Sequence, residues 1–166
     1  YDVGWDTTDF SSLDSDVTVR AIKAARNYTV TLDPCGGAFA DTGLTDTASL
    51  SVTFDAGFTL PAAEKIHCKF LSWKTADGLT VDDATPWNID EDITLYATFV
   101  EKDRKSVTFV QPGMEDIVIE VYDGEKLESI PTPQPIEGYD VCWDAEDIGN
   151  TIVTEAIVVN IRKTPK

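Results

Sequence analysis

The chain has 166 residues, of which 42% are hydrophobic, and its 30 acidic side chains against 13 Lys and Arg give a net charge of −17. This charge repels polyanions, so nucleic acid and anionic membrane surfaces are not expected as partners. The hydrophobic content excludes a disordered acidic tail, and the sequence contains no signal peptide or membrane-spanning run.

Residues 1–26 begin with a strand pattern, in which Tyr1, Val3 and Trp5 alternate with other residue types. A polar turn at 11–16 should connect this strand to a second one that starts at Val17. Two strands alone are only marginally stable in water. We therefore expect residues 1–26 to be the C-terminal half of a preceding repeat, which leans on the next segment or is completed by further chain.

Residues 27–102 carry the pattern of a complete module. Alternating apolar residues predict strands near 28–32, 50–54, 70–75 and 93–99. The DPCGG run at 33–37 and the ADG run at 76–78 are dense turn signals. At most one helical turn fits between the strands, at 62–65.

After a charged linker at 101–105, residues 103–166 repeat this plan in divergent form. Strands are expected near 107–109, 117–121, 139–143 and 157–161. The Ile130-Pro131 pair stands where Leu60-Pro61 stands in the previous module. We predict a second, divergent full module at 103–166.

A tryptophan motif recurs in all three segments and sets the period. It reads YDVGWDTTDF at 1–10, FLSWKTADG at 70–78 and YDVCWDAEDI at 139–148, so Trp5, Trp73 and Trp143 are about 70 positions apart. A period of domain length predicts a tandem array of small, mainly β modules (α+β at most) with little or no helix. Because the chain opens inside one copy, we expect it to be an excerpt of a longer protein.

Residues 28–100 resemble the Listeria–Bacteroides repeat, a family that includes the B-repeat of the internalins. The similarity lies in ordered blocks: YTVTLDPCGG at 28–37, FTLP at 58–61, FLSWKTADG at 70–78 and DEDITLYA at 90–97. Cys68 and Ser72 stand where the family usually has an aromatic residue and a glycine. The resemblance implies β-grasp-like (ubiquitin-like) modules and an extracellular location on a bacterial cell surface.

From the repeats and the resemblance we expect a non-catalytic segment that acts as a spacer or stalk and as a protein-interaction module. The alternative is an adhesin module that binds a host protein or a glycan through exposed aromatic residues. Self-association through strand edges is a further expectation, because the strands of residues 1–26 need a partner.

The tryptophans are expected to anchor cores, because they alternate with other hydrophobes, whereas a sugar-stacking platform requires an exposed ring face. The predicted structural core residues are Trp5, Trp73, Trp143, Phe54, Leu95, Val107 and Ile119.

No catalytic, cofactor-binding or metal site is predicted. Turn-forming side chains that accept backbone hydrogen bonds explain the recurring acidic pairs better than calcium ligands do. These pairs are Asp14/Asp16, Asp82/Asp83 and Asp90/Asp92. His67 and Cys68 are neighbours, and on a strand their side chains would point to opposite faces. The odd cysteine count favours isolated buried thiols and leaves a Cys35–Cys68 disulfide open.

Overall fold

The computed structural model describes residues 1–6 and 16–166. β-strands dominate these residues, which confirms the mainly β prediction. The one helical segment in this part of the chain is a short 3₁₀ helix, Ile148–Asn150, and no helix there is long and apolar enough to cross a membrane. The chain divides into two compact units, Tyr1–Val100 (unit 1) and Glu101–Lys166 (unit 2).

The strands are, in chain order, β1 (Asp2–Trp5), β2 (Ala21–Ala24), β3 (Asn27–Asp33), β4 (Ala38–Phe39), β5 (Ala48–Thr53), β6 (Ala63–Glu64), β7 (Cys68–Lys74), β8 (Thr80–Val81), β9 (Ile93–Glu101), β10 (Arg104–Val110), β11 (Ile117–Tyr122), β12 (Tyr139–Trp143) and β13 (Ile157–Pro165).

Unit 1 is built on a mixed sheet with the strand order β5-β3-β9-β7-β8. β3 pairs antiparallel with β5 and parallel with β9, where Leu32 stands opposite Leu95. β4 and β6 form a separate two-stranded ladder, and so do β1 and β2. Residues 63–64, where at most one helical turn was expected, are therefore a strand that pairs with β4.

Unit 2 contains a four-stranded sheet with the order β11-β10-β13-β12. β10 pairs antiparallel with β11 and parallel with β13, where Phe109 stands opposite Val159. β12 pairs antiparallel with β13. The order repeats that of β5-β3-β9-β7 in unit 1, with two parallel strands in the middle of each sheet.

In unit 2, hydrogen bonds of the Gln111 side chain take the place of the β4-β6 strand pair of unit 1. The loop between β10 and β11 is shorter than the stretch between β3 and β5 that carries β4. The buried Gln111 side chain donates from Nε2 to the carbonyl oxygen of Gln134 at 3.0 Å and accepts the N–H of Gln134 at 2.8 Å. The side-chain amide thus binds both backbone groups of one residue, as a paired strand would.

Each unit has its own hydrophobic core, formed by alternate residues of the strands. The buried core of unit 1 comprises Val30, Leu32, Phe39, Val52, Ala63, Trp73, Trp87, Leu95 and Ala97. That of unit 2 comprises Val107, Phe109, Val121, Leu127, Trp143, Ile148, Val153 and Val159. Of the predicted core residues, Trp73, Leu95, Val107 and Trp143 lie in these cores, and Phe54 and Ile119 pack partly buried against them.

Two predicted boundaries differ from the structure. β2 begins at Ala21 rather than Val17, because β1 offers only four residues for pairing. The predicted linker at 101–105 is mostly strand, since Glu101 ends β9 and β10 starts at Arg104. Charged side chains are compatible with these strand ends because they are exposed; the Arg104 guanidinium lies 4.7 Å from the centre of the Tyr122 ring. The predicted turn at 11–16 lies, apart from its last residue, outside the described residues.

Candidate functional site

Trp73, on β7, is 2% exposed and lies in the core of unit 1. Its ring stacks on Phe39 at a centroid distance of 5.9 Å and contacts Phe70 edge-on. The indole Nε1 donates a 2.8 Å hydrogen bond to the carbonyl oxygen of Pro61, which lies 12 residues earlier. Burying an indole N–H without an acceptor costs free energy. This pairing therefore fixes the segment that precedes β7 against the core.

Trp143, on β12, has the same environment in unit 2. It is 8% exposed, and its ring centre lies 5.0 Å from that of Phe109. Its Nε1 donates a 2.6 Å hydrogen bond to the carbonyl oxygen of Pro131, again 12 residues earlier. The two prolines that the sequence aligns, Pro61 and Pro131, thus bind the two tryptophans that it aligns.

Trp5, on β1, corrects the prediction that all three motif tryptophans are core residues. Its side chain is 59% exposed, and that of Val3 is 76% exposed. Both stand on one face of the β1-β2 ladder, opposite Ala21 and Lys23. Trp5 is exposed because the β1-β2 ladder is a separate two-stranded sheet, whereas larger sheets and proline segments enclose Trp73 and Trp143.

The β1-β2 ladder nevertheless has the local geometry of β12-β13. In unit 2, the backbone N–H of Asp144 donates to the carbonyl of Asn160 at 2.8 Å, and Asp144 Oδ1 accepts the N–H of Asn160 at 2.9 Å. Asp6 and Arg20 form the same two bonds at 2.9 and 3.0 Å. The aspartate that follows the tryptophan in the sequence motif therefore forms the same hydrogen bonds at the end of both ladders.

Tyr1 connects the β1-β2 ladder to the rest of unit 1. Its hydroxyl donates a 2.7 Å hydrogen bond to Asp55 Oδ2, and its ring contacts Phe54 edge-on at 5.5 Å. The hydrogen bond to Asp55 raises the pKa of the Tyr1 phenol, since ionisation would remove the donor and place two negative charges in contact. Arg26 binds Asp2 at 2.6 Å and lowers the pKa of that carboxyl. Both contacts are exposed to solvent, so each stabilises the attachment only weakly.

Trp87 is a core residue that the sequence reasoning missed. It is 2% exposed. Its carbonyl accepts the N–H of Asp55 at 2.8 Å, and its own N–H donates to Ala56 at 3.0 Å. In unit 2, Val153 forms the corresponding bonds with residues 124–125, both at 2.8 Å. No alternating apolar pattern surrounds Trp87 in the sequence. Alignment of Trp87 with Val153, the residue in the same position of unit 2, is the signal that could have indicated its burial.

Surface grooves in unit 1 lie around β8. One groove of about 470 Å³ is lined by Asp77, Asp92 and Tyr96 among others. Asp77 accepts a hydrogen bond from the Thr75 hydroxyl, and Asp92 Oδ1 accepts the backbone N–H of Thr29 at 2.6 Å. These two carboxylates therefore support a turn and a strand.

The predicted acidic pair Asp82/Asp83, in the same region, binds backbone groups. Asp82 Oδ1 accepts the N–H of Ala84 at 3.1 Å, within a local turn, and Asp83 Oδ2 accepts the N–H of Leu60 at 3.2 Å. Among residues 1–6 and 16–166, no group of three or more His, Cys, Asp or Glu is placed to hold a metal ion. Asp14 lies outside these residues.

The three cysteines are free thiols in the structure. Cys35 and Cys142 are exposed, so the expectation of buried thiols is wrong for these two. Cys35 lies in the turn after β3 with a positive φ of 51°, and Cys142 precedes Trp143 on the opposite face of β12. Partial burial raises the pKa of the Cys35 thiol above its usual value.

No protein-family model, curated protein or solved structure matches this chain. Its function is therefore inferred from the two units and the β1-β2 ladder themselves.

Proposed function

We propose that this chain is a non-catalytic repeat segment of a bacterial cell-surface protein, similar to the Listeria–Bacteroides repeats. In this role it is extracellular and acts as a spacer and protein-interaction module. The observation that carries the proposal is the tryptophan-to-proline pairing, in which each unit bonds a buried indole N–H to a proline carbonyl 12 residues earlier. Repeated modules keep such a core contact while their loops diverge.

The strand order supports β-grasp-like modules as part of this proposal. Within each repeated stretch, the first and the last strand lie side by side and parallel, as β3 and β9 do in unit 1 and β10 and β13 do in unit 2. The second strand flanks one side of this pair, and the tryptophan strand flanks the other. This arrangement is typical of β-grasp folds.

Two features favour a spacer role. Only Lys102 and Asp103 separate β9 from β10, which leaves little flexible chain between consecutive repeats. The net charge of −17 opposes lateral association between copies and keeps a repeat array soluble. In the proposal, binding to nucleic acid and insertion into a membrane play no part.

Small-angle X-ray scattering of the full chain tests the spacer role. A single compact globule of this length would have a radius of gyration of about 15 Å. A spacer should give a clearly larger value that does not change with protein concentration. A value near the compact limit would contradict the proposal.

The exposure of Trp5 favours a second candidate function, an adhesin module that binds a host protein or a glycan. An exposed indole face suits contact with a sugar ring or an apolar protein patch. Binding of a glycan or a host protein that Trp5→Ala abolishes and Val158→Ala preserves would support this candidate, since Val158 is an exposed apolar residue elsewhere. The equivalence of β1-β2 with β12-β13 points to a different occupant for the Trp5 face.

A further inference from the structure

We propose that the Trp5 face of the β1-β2 ladder is a docking surface for a half-module. The half-module is a β-hairpin followed by an extended segment that presents a proline carbonyl, as residues 104–136 do in unit 2. This inference rests on the proposed repeat function and names the partner of the ladder.

The Trp5 face repeats, position by position, a face of β12-β13. Each face has a valine and a tryptophan on the first strand and an apolar residue and a lysine opposite them. Val3, Trp5, Ala21 and Lys23 in the first ladder correspond to Val141, Trp143, Ile161 and Lys163 in the second. The hydrogen bonds of Asp6 to Arg20 and of Asp144 to Asn160, next to the two tryptophans, place the tryptophans in the same register.

In unit 2 three contacts from the preceding half of the unit complete this face. β10 lies parallel to β13, with Phe109 opposite Val159. The Phe109 ring lies 5.0 Å from the Trp143 ring, and Pro131 supplies the carbonyl that accepts the Trp143 N–H. The three contacts come from residues 104–131, which therefore act as one complementary surface.

β1-β2 offers the same three features to a partner. In this register residues 17–20, directly before β2, correspond to residues 157–160, which β10 pairs in unit 2. Among the described residues no strand pairs residues 17–20, so this edge is available to a parallel strand. Trp5 at 59% exposure and Val3 at 76% present the apolar surface that an aromatic residue would cover. A proline carbonyl on the partner would accept the Trp5 N–H. A half-module of the same type meets all three requirements, whereas a glycan would supply no strand for the edge at residues 17–20.

The test places an extra copy of residues 103–138 directly ahead of Tyr1 in the full chain, which reproduces at Trp5 the connection that unit 2 has at Tyr139. The added segment contains no tryptophan, so all four indole N–H signals in NMR spectra come from the original chain. We expect hydrogen exchange of the Trp5 indole to slow to the rate of the Trp143 indole. The matched control carries Phe109→Asp in the added copy alone and should leave Trp5 in fast exchange.

The free peptide 103–138, titrated into the unmodified chain, is a second measurement that does not depend on the folding of the fusion. It should cause a saturable blue shift of tryptophan emission that Trp5→Ala abolishes. Fast Trp5 exchange in the fusion together with no response to the peptide overturns the docking proposal. So does protection of Trp5 by a soluble β-glucan oligosaccharide, or dimerisation of the unmodified chain that requires Trp5.

These failures differ from a failure of the proposed function. If the Trp73 and Trp143 indoles are protected from exchange while Trp5 in the fusion is not and the peptide gives no response, the docking proposal alone is lost. If the Trp73 and Trp143 indoles themselves exchange freely in the unmodified chain, the repeat architecture is lost as well.

Discussion

Replacing Trp143 by Ala should unfold unit 2, while the same replacement at Trp5 should leave the protein almost unchanged. A buried tryptophan removes about 150–250 Å² from water, which at about 25 cal/mol per Å² corresponds to about 4–6 kcal/mol. Residual burial in the denatured state lowers this figure, so we expect a loss of about 3–5 kcal/mol. A core in a domain of this size supplies about as much in total. Because Trp5 is 59% exposed, its replacement should cost less than about 0.5 kcal/mol.

Phenylalanine variants separate the hydrogen bond from the packing. Trp143→Phe leaves the Pro131 carbonyl without its 2.6 Å donor and should cost about 1–3 kcal/mol. The Trp87 indole N–H is buried without a hydrogen-bond partner among the described residues, so Trp87→Phe breaks no such bond and should cost less. Urea unfolding followed through the indole N–H signals in NMR spectra reports each unit separately. Equal losses of stability for Trp143→Ala and Trp5→Ala would contradict the burial of Trp143 and the exposure of Trp5.

Three further predictions concern other contacts. Gly37→Ala should destabilise unit 1 by about 1–3 kcal/mol in urea unfolding, because the new Cβ would lie 2.5 Å from a backbone carbonyl; Gly57→Ala, with nothing within 4 Å, is the control. Gln111→Leu should destabilise unit 2 by about 1–3 kcal/mol, whereas Gln134→Ala, which keeps the backbone groups, should be neutral in the same assay. Because its hydrogen bond to Asp55 raises the pKa of Tyr1, the stabilisation from this bond is fully present below the ordinary pKa of 10.0 and is lost as the pH rises through the folded-state pKa. Ultraviolet titration should show a late-ionising tyrosine that Tyr1→Phe removes.

The sequence pattern predicted the strands well because alternating burial is a local property. Val30 and Leu32 are buried on β3 and Leu95 on β9, as the period of two requires. The structural equivalence of Trp73 and Trp143 also followed from the sequence, because their neighbours and their upstream prolines align. The mainly β class was predictable for the same reason.

The exposure of Trp5 was not predictable from its motif, because burial depends on what lies opposite the face and not on the strand itself. Trp87 and Gln111 were missed for a related reason. The backbone bonds of Trp87 connect it to residues about 30 positions earlier, and Gln111 binds a backbone segment 23 positions later, so neither contact leaves a local pattern. Cys142 was expected to be buried, yet it alternates with Trp143 and therefore lies on the opposite face.

Units 1 and 2 share one arrangement, in which β3 pairs in parallel with β9 and β10 pairs in parallel with β13. Nuclear Overhauser contacts across these strands test it most directly. We expect backbone contacts between Leu32 and Leu95 in unit 1 and between Phe109 and Val159 in unit 2, both with parallel geometry. Parallel contacts in one unit and a different pairing in the other would contradict it.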